Sequence, residues 1–213
     1  MIALGPAAVA FTRRSPAFAA LLVPSVVFGV IASLVTFGAA DAWDRREMNT
    51  LDDHVASVPT PVSADEVLLL GLGVGVVAVV TLAIALLAAG KVRHAVFWTL
   101  ALSGVLVLDP LLKEVFRRPN FTGDAYSFPS GTAMLSMAAL AAVIALLRPG
   151  WLRAIALAVG GLSVIVIGLS VVYLRWHYPT DVVAGWCAAL IWVALMWLAV
   201  VAERPGPGAP KRG

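Results

Sequence analysis

Long apolar runs, recurring along the whole chain, restrict this sequence more than any other feature. They fall at about 16–40, 67–90, 95–112, 131–147, 154–174 and 182–202. Each is near the roughly 20 residues that an α-helix needs to cross a bilayer. A spanning β-barrel would instead require segments of about ten residues alternating apolar and polar, and "GLGVGVVAVVTLAIALLAAG" has no such alternation. The composition agrees: 61% of the 213 residues are hydrophobic and 13% are charged, far from the even mixture of a soluble domain. The expectation is an all-α membrane protein with six transmembrane helices in one bundle. It divides into an N-terminal segment 1–15, a membrane domain 16–202 and a Pro/Gly-rich tail 203–213.

Basic residues orient the bundle. With both termini in the cytoplasm, the inner segments hold Arg13, Arg14, Lys91, Arg93, Arg148, Arg153, Arg204, Lys211 and Arg212, with Glu203 as their one acid. The positive-inside rule selects that arrangement, and a multi-pass protein of the plasma membrane is expected. The first run, behind Arg13 and Arg14, has the flanks of a signal peptide but is about 25 residues long with Pro24 inside it, and is read as a permanent helix. Outside lie eleven of the twelve acids and six basic residues, among them Lys113, Arg117, Arg118 and Arg175. Much of the acid is in the loop 41–66, where "DRREMNTLDDHVASV" has the pattern of a surface helix. No basic cluster lies beyond the membrane flanks, so nucleic acid is not an expected partner. Cys187 is the only cysteine, and no intrachain disulfide can form.

Three polar clusters share the outer face. Lys113 closes the third run and Arg118 follows it, a flexible point charge and a planar guanidinium, both suited to phosphate oxygens. "FPSGTA" (128–133) opens the fourth run. Ser130 can cap that helix, and the N–H groups of Ser130, Gly131 and Thr132 would point outward at its positive end, where an anion is held. The third cluster is "YLRWHYPTDVVAGW" (173–186). If Pro179 and Thr180 start the last helix, Asp181 in its first turn can accept one N–H of His177. The other ring nitrogen is then left as a nucleophile or base. Zinc at His177 and Asp181 would need a third outer ligand such as His54, and neither a metal nor a cofactor is expected. Two cations, a helix N-terminus and an oriented histidine together suit a phosphoryl transition state.

In sequence order, "KEVFRRP", "FPSGT" and "YLRWHYPTDVVAGW" resemble the three signature motifs of the type 2 phosphatidic acid phosphatases. That superfamily also contains vanadium haloperoxidases and bacterial acid phosphatases. The resemblance extends over about 15–202 and implies that His177 forms a phospho-histidine with Asp181 as its orienting partner. Lys113 and Arg118 would be phosphate ligands, and Ser130, Gly131 and Thr132 would form the cradle. Three departures from the pattern involve four positions. Asn120 and Phe121 stand where the first motif has a further Arg-Pro. Val171 stands where the third motif has Arg, and Arg175, one helical turn later, is expected to replace it. Thr132 stands where the family has a histidine as general acid, a function worth about 10² to 10⁴ in rate.

Threonine cannot supply that proton near neutral pH, which leaves three readings of the chemistry. The substrate brings a good leaving group, another outer group such as His54 or Asp124 donates the proton, or the protein binds lipid phosphates and turns them over feebly. The resemblance implies a lipid phosphate phosphohydrolase on the extracytoplasmic side with a lipid phosphate as substrate. Polyprenyl diphosphate is the favoured substrate, followed by phosphatidic acid and phosphatidylglycerol phosphate. A transporter is the reading from another class, and it would be expected to show repeats and broken helices at mid-membrane, whereas here the polar clusters sit at the surface instead. Nothing in the sequence specifies an oligomeric state.

Overall fold

The computed structural model describes residues 6–55, 77, 80–121, 123 and 125–201. Seven helical segments follow one another: α1 (Pro6–Thr36), α2 (Asp41–Val55), α3 (80–88), α4 (Val92–Phe116), α5 (Gly131–Leu146), α6 (Trp151–Tyr173) and α7 (Pro179–Met196). A π-helical turn, Trp197–Val201, extends α7. No strand is present among the described residues; two short chain stretches pair only at the bridge between Pro119 and Tyr126.

Three helices among the described residues are long and apolar enough to span a membrane: Val92–Phe116, Trp151–Tyr173 and Pro179–Val201. Leu21–Thr36 and Asp41–Thr50 form a further candidate pair, bent by 90°. The expected fourth span is the apolar α5 of 16 residues, which at about 1.5 Å per residue reaches roughly 24 Å against a hydrocarbon core of ~30 Å. Half of the expected second span, 67–90, lies outside the described residues, as do Asp124 and the tail 203–213. The surface helix expected in the first outer loop is α2, three residues earlier than the sequence pattern placed it.

Helix ends follow from local sequence. Thr36 is followed by a turn at Gly38, whose φ of 71° is the left-handed conformation that glycine adopts at least cost. This bend turns the chain from apolar α1 into polar α2. Pro179 starts α7, where its missing N–H is no loss. α5 starts behind Ser130, which accepts a hydrogen bond from Ala133 N at 3.4 Å.

The core is a packed layer of α4, α5 and α7. Phe97, Trp98, Ala101 and Val105 of α4 meet Met134, Ala138 and Ala142 of α5 and Ala188, Ala189 and Val193 of α7. Small residues let the backbones approach. A Cβ on Gly185 would lie 2.6 Å from the carbonyl oxygen of Ser130. Leu152, Val159, Leu162 and Leu169 of α6 are exposed, a face that lipid tails satisfy. At one end of the bundle the C-terminal ends of α4 and α6 meet the N-terminal ends of α5 and α7; the three polar clusters gather there.

Candidate active site

His177 lies in the five-residue connection that joins α6 to α7. α6 ends in a Schellman motif: Trp176 N donates to Val171 O at 3.0 Å and Arg175 N donates to Val172 O at 2.9 Å. Arg175 takes the left-handed position with φ 60°, a place usually held by glycine. This reversal brings Trp176 and His177 back over the last turn of the helix. His177 N approaches Val171 O at 3.3 Å, and the imidazole Nδ1 lies 2.9 Å from the carbonyl oxygen of Ser127. A carbonyl only accepts, so Nδ1 carries the proton and Nε2 keeps its lone pair.

The partner of the imidazole is thus a backbone carbonyl rather than Asp181, which corrects the sequence expectation. His177 Nδ1 stands 3.9 Å from Asp181 Oδ2, too far for a hydrogen bond. Asp181 is fully buried and its oxygens are taken: Tyr178 N donates to Oδ2 at 3.0 Å and Arg118 Nη1 donates to Oδ1 at 2.7 Å. It caps the first turn of α7 and anchors Arg118.

Arg118 departs further from its expected place. Its Nη1 also donates to Thr180 Oγ1 at 2.9 Å, and its Nη2 donates to Asp44 at 2.7 Å and Asp41 at 2.9 Å. The guanidinium stacks on the Tyr178 ring, 4.3 Å from its centroid. Burial alone would lower the pKa of this group, but Asp181 and Asp44 hold it above its ordinary value. Tyr178 shifts up through burial, against the pull of Arg118. Asp44, from α2, also accepts from Thr180 N at 3.3 Å and from Thr180 Oγ1. Asp41, Asp44 and Thr180 were not among the sequence candidates, because no spacing rule links α2 to residues more than 130 positions away. Arg118 therefore holds three segments together and is not a wall of the cavity described next.

That cavity, about 530 Å³, opens between α4, α5 and α6. Its polar lining is Asp109, Lys113, Thr132, Ser136, Ser170 and His177, with Gly131 at the start of α5. Val105, Leu106, Leu135, Ile167, Leu174 and Trp176 supply apolar walls. Three expected residues therefore meet His177 here: Lys113, Gly131 and Thr132. Ser130 does not line it; fully buried, it caps α5 and its N–H donates to Asp181 O at 3.0 Å.

Arg175 is not in the cavity wall either. Its expected role assumed that the helix continued through Arg175, but α6 stops at Tyr173, and the guanidinium stacks over Phe121 at 4.7 Å. Val171, buried, lines the cavity itself. Asn120, at the other departing position, caps a turn: its Oδ1 accepts from Gly123 N at 2.7 Å and Ala125 N at 3.4 Å. His54 belongs to α2, but its side chain lies outside the described residues, as does Asp124.

Asp109 is the cavity residue that motif reading passed over. It is one helical turn before Lys113, with Oδ2 3.1 Å from Nζ. The signal was available: an acid inside an apolar run is a functional candidate by default. No group of three or more acidic, His or Cys side chains among the described residues could hold a metal ion.

Comparison with known proteins agrees with this architecture. A search of curated proteins gives no match. Among solved structures, the crystal structure of the first transmembrane PAP2 type phosphatidylglycerolphosphate phosphatase from Bacillus subtilis superposes with a TM-score of 0.65 at 19% identity. The match covers 82% of this chain and 92% of that one, a likeness of fold. The sequence profile of the PAP2 superfamily matches residues 94–205, more than half of the chain and all of the cavity's polar lining. The chain therefore belongs to the PAP2 superfamily.

Proposed function

We propose that the protein is a lipid phosphate phosphohydrolase of the plasma membrane, working at the extracytoplasmic face, with His177 as nucleophile. The observation that carries this reading is the His177 Nδ1 to Ser127 O bond of 2.9 Å, in a cavity shared with Lys113 and the first turn of α5. It sets the tautomer in which Nε2 can attack phosphorus. Lys113 and the N–H groups at the α5 N-terminus stabilise the equatorial oxygens.

The favoured substrate is a polyprenyl diphosphate. Nε2 attacks the terminal phosphorus and a P–N bond forms as the bridging P–O bond breaks. The electron pair leaves on a lipid monophosphate, which needs no proton, so Thr132 in place of a general acid is tolerated. Water then attacks the phospho-histidine: a P–O bond forms as the P–N bond breaks, the electron pair returns to Nε2, and the water oxygen leaves in inorganic phosphate, its protons staying on the phosphate or passing to solvent. None of these steps calls on a metal. Monoester substrates such as phosphatidic acid or phosphatidylglycerol phosphate expel an alkoxide and would suffer from the missing acid.

Phosphate release from a polyprenyl diphosphate, its monophosphate and phosphatidic acid, each with EDTA and beside His177→Ala, tests the proposal. Release confined to the diphosphate and lost in the variant is the expected result. Release that survives His177→Ala overturns the nucleophile. A second reading, a lipid-phosphate binder without useful turnover, is favoured by one observation. Lys113 is the single cation in the cavity wall among the described residues and already faces Asp109. Lipid binding without release from any substrate would select it.

A further inference from the structure

Asp109 has no task in the chemistry above. Its Oδ2 accepts from Lys113 Nζ at 3.1 Å, whereas Oδ1 is buried and has no hydrogen-bond partner among the described residues. The carboxylate lies against the first residue of α5: a Cβ on Gly131 would come within 2.7 Å of Asp109 Cγ and Oδ1 and 2.8 Å of Oδ2. Gly131 is thus the residue that lets an acid stand beside the anion cradle. A buried carboxylate oxygen without a donor is costly, and Asp109 lines the same cavity as His177.

An ionised carboxylate accepts hydrogen bonds and cannot donate them. Next to Lys113 and the positive end of α5 it repels an oxyanion stripped of protons and receives one that carries a hydroxyl. We propose that Asp109 is a specificity-determining residue that makes the cavity select a phosphoryl group still bearing a proton. The Asp109 carboxylate accepts from the P–OH. Lys113 Nζ and the N–H groups at Gly131 and Thr132 take the remaining oxygens. The titratable groups facing this position from the cavity wall are Lys113 and His177, and the Arg118 cluster is not part of the wall. Monoesters lose their last phosphoryl proton near pH ~6, so the selected substrate form is the monoanion. The inference rests on the phosphate reading of the site, but not on turnover.

Inorganic phosphate and sulfate separate the possibilities, because near neutral pH phosphate keeps a hydroxyl and sulfate has none. Affinity for each is measured by calorimetry on the purified full chain in detergent at constant ionic strength, in wild type and in Asp109→Asn. Wild type should bind phosphate about tenfold or more tighter than sulfate, and Asp109→Asn, which can donate, should bring the two within about threefold by gaining sulfate. Equal affinities in wild type overturn the proposal, and this comparison stands even if the variant does not fold. Equal weakening of both anions in Asp109→Asn also overturns it, since that is the signature of an acid that merely positions Lys113. Absence of binding by either anion does so as well. Selection of phosphate without His177-dependent release would remove the hydrolase reading and leave this one. Release with no selection would do the reverse.

Discussion

Arg118 and Lys113 belong to one sequence motif, lie five residues apart, and are put to opposite uses. Arg118 is 5% exposed and bound to Asp41, Asp44, Asp181 and Thr180, with an aromatic ring beneath it. Lys113 is 26% exposed, has one acidic partner, and faces a cavity in which that partner keeps an unfilled acceptor. The first set is a frame: it ties α2, the 117–130 connection and the start of α7 together, and through Arg118 O, which accepts from Ser127 N at 2.8 Å, it fixes the carbonyl that holds His177. The second set is open to a ligand. Two cations alike in sequence are thus distinguished by how many of their donors the protein itself uses.

Removing the guanidinium should break the frame first. Arg118→Met leaves Asp44 and Asp181 buried without a counter-charge, at a cost of about 3–5 kcal/mol. Chemical denaturation in detergent should show it, together with lost activity as Ser127 and His177 shift. A loss under about 1 kcal/mol with much weaker phosphate binding would instead make Arg118 a ligand, and the comparison would fail.

The cavity side is sharpened by restoring what the family pattern has. Thr132 lines the cavity at the second residue of α5, so Thr132→His places an imidazole beside the phosphoryl group. Turnover of a monoester should rise by about 10², the lower end of general acid help, with little change for a diphosphate. An equal gain on both substrates would mean that the leaving group was never the limitation.

How much of this was legible in the sequence follows from the range of each interaction. Helices α4, α5, α6 and α7, the last with its π-helical turn, were read from continuous apolar runs within a few residues of their observed ends, because burial and bilayer length act on contiguous chain. The cavity trio of His177, Lys113 and the α5 N-terminus was legible because each comes with a local motif. The roles of Arg118, Asp181 and Arg175 were misread for one reason: each was placed by extrapolating a helix or a spacing. Arg118 was instead claimed by acids on α2, and a Schellman turn ended α6 two residues before Arg175. Ser127 acts through its backbone carbonyl, which no side-chain pattern encodes. Asp109 could have been found from its i, i+4 relation to Lys113 in an apolar helix.

A smaller effect tests whether frame and cavity move together. Gly185 lies so close to Ser130 O and Ala133 that Gly185→Ala must push α7 away from the start of α5. The overpacking cost should be about 1–3 kcal/mol. Since Gly131 and Thr132 follow Ser130 directly, phosphate affinity should fall with stability. A destabilised variant with wild-type phosphate affinity would show that the cradle is held by α4 rather than by the frame.

The smallest effect is expected at Arg175, the cation nearest the boundary between the two regions. Its backbone takes the left-handed position that ends α6, which costs a non-glycine residue roughly 1–2 kcal/mol. Its guanidinium stacks over Phe121 at 4.7 Å, an interaction on the order of 1 kcal/mol at this half-buried residue. Arg175→Ala removes the stacking and keeps the strain, so it should be slightly less stable. Arg175→Gly removes the stacking and the strain together and should be more stable than Arg175→Ala. Neither should change the rate by more than about twofold if the backbone turn, which places His177, is the whole contribution. If the guanidinium reached the substrate as a surrogate for the arginine absent at Val171, both variants would lose about tenfold or more in activity, whatever their stability. The pair of substitutions therefore separates a cation that shapes the chain from one that binds the phosphate, the distinction that already divides Arg118 from Lys113.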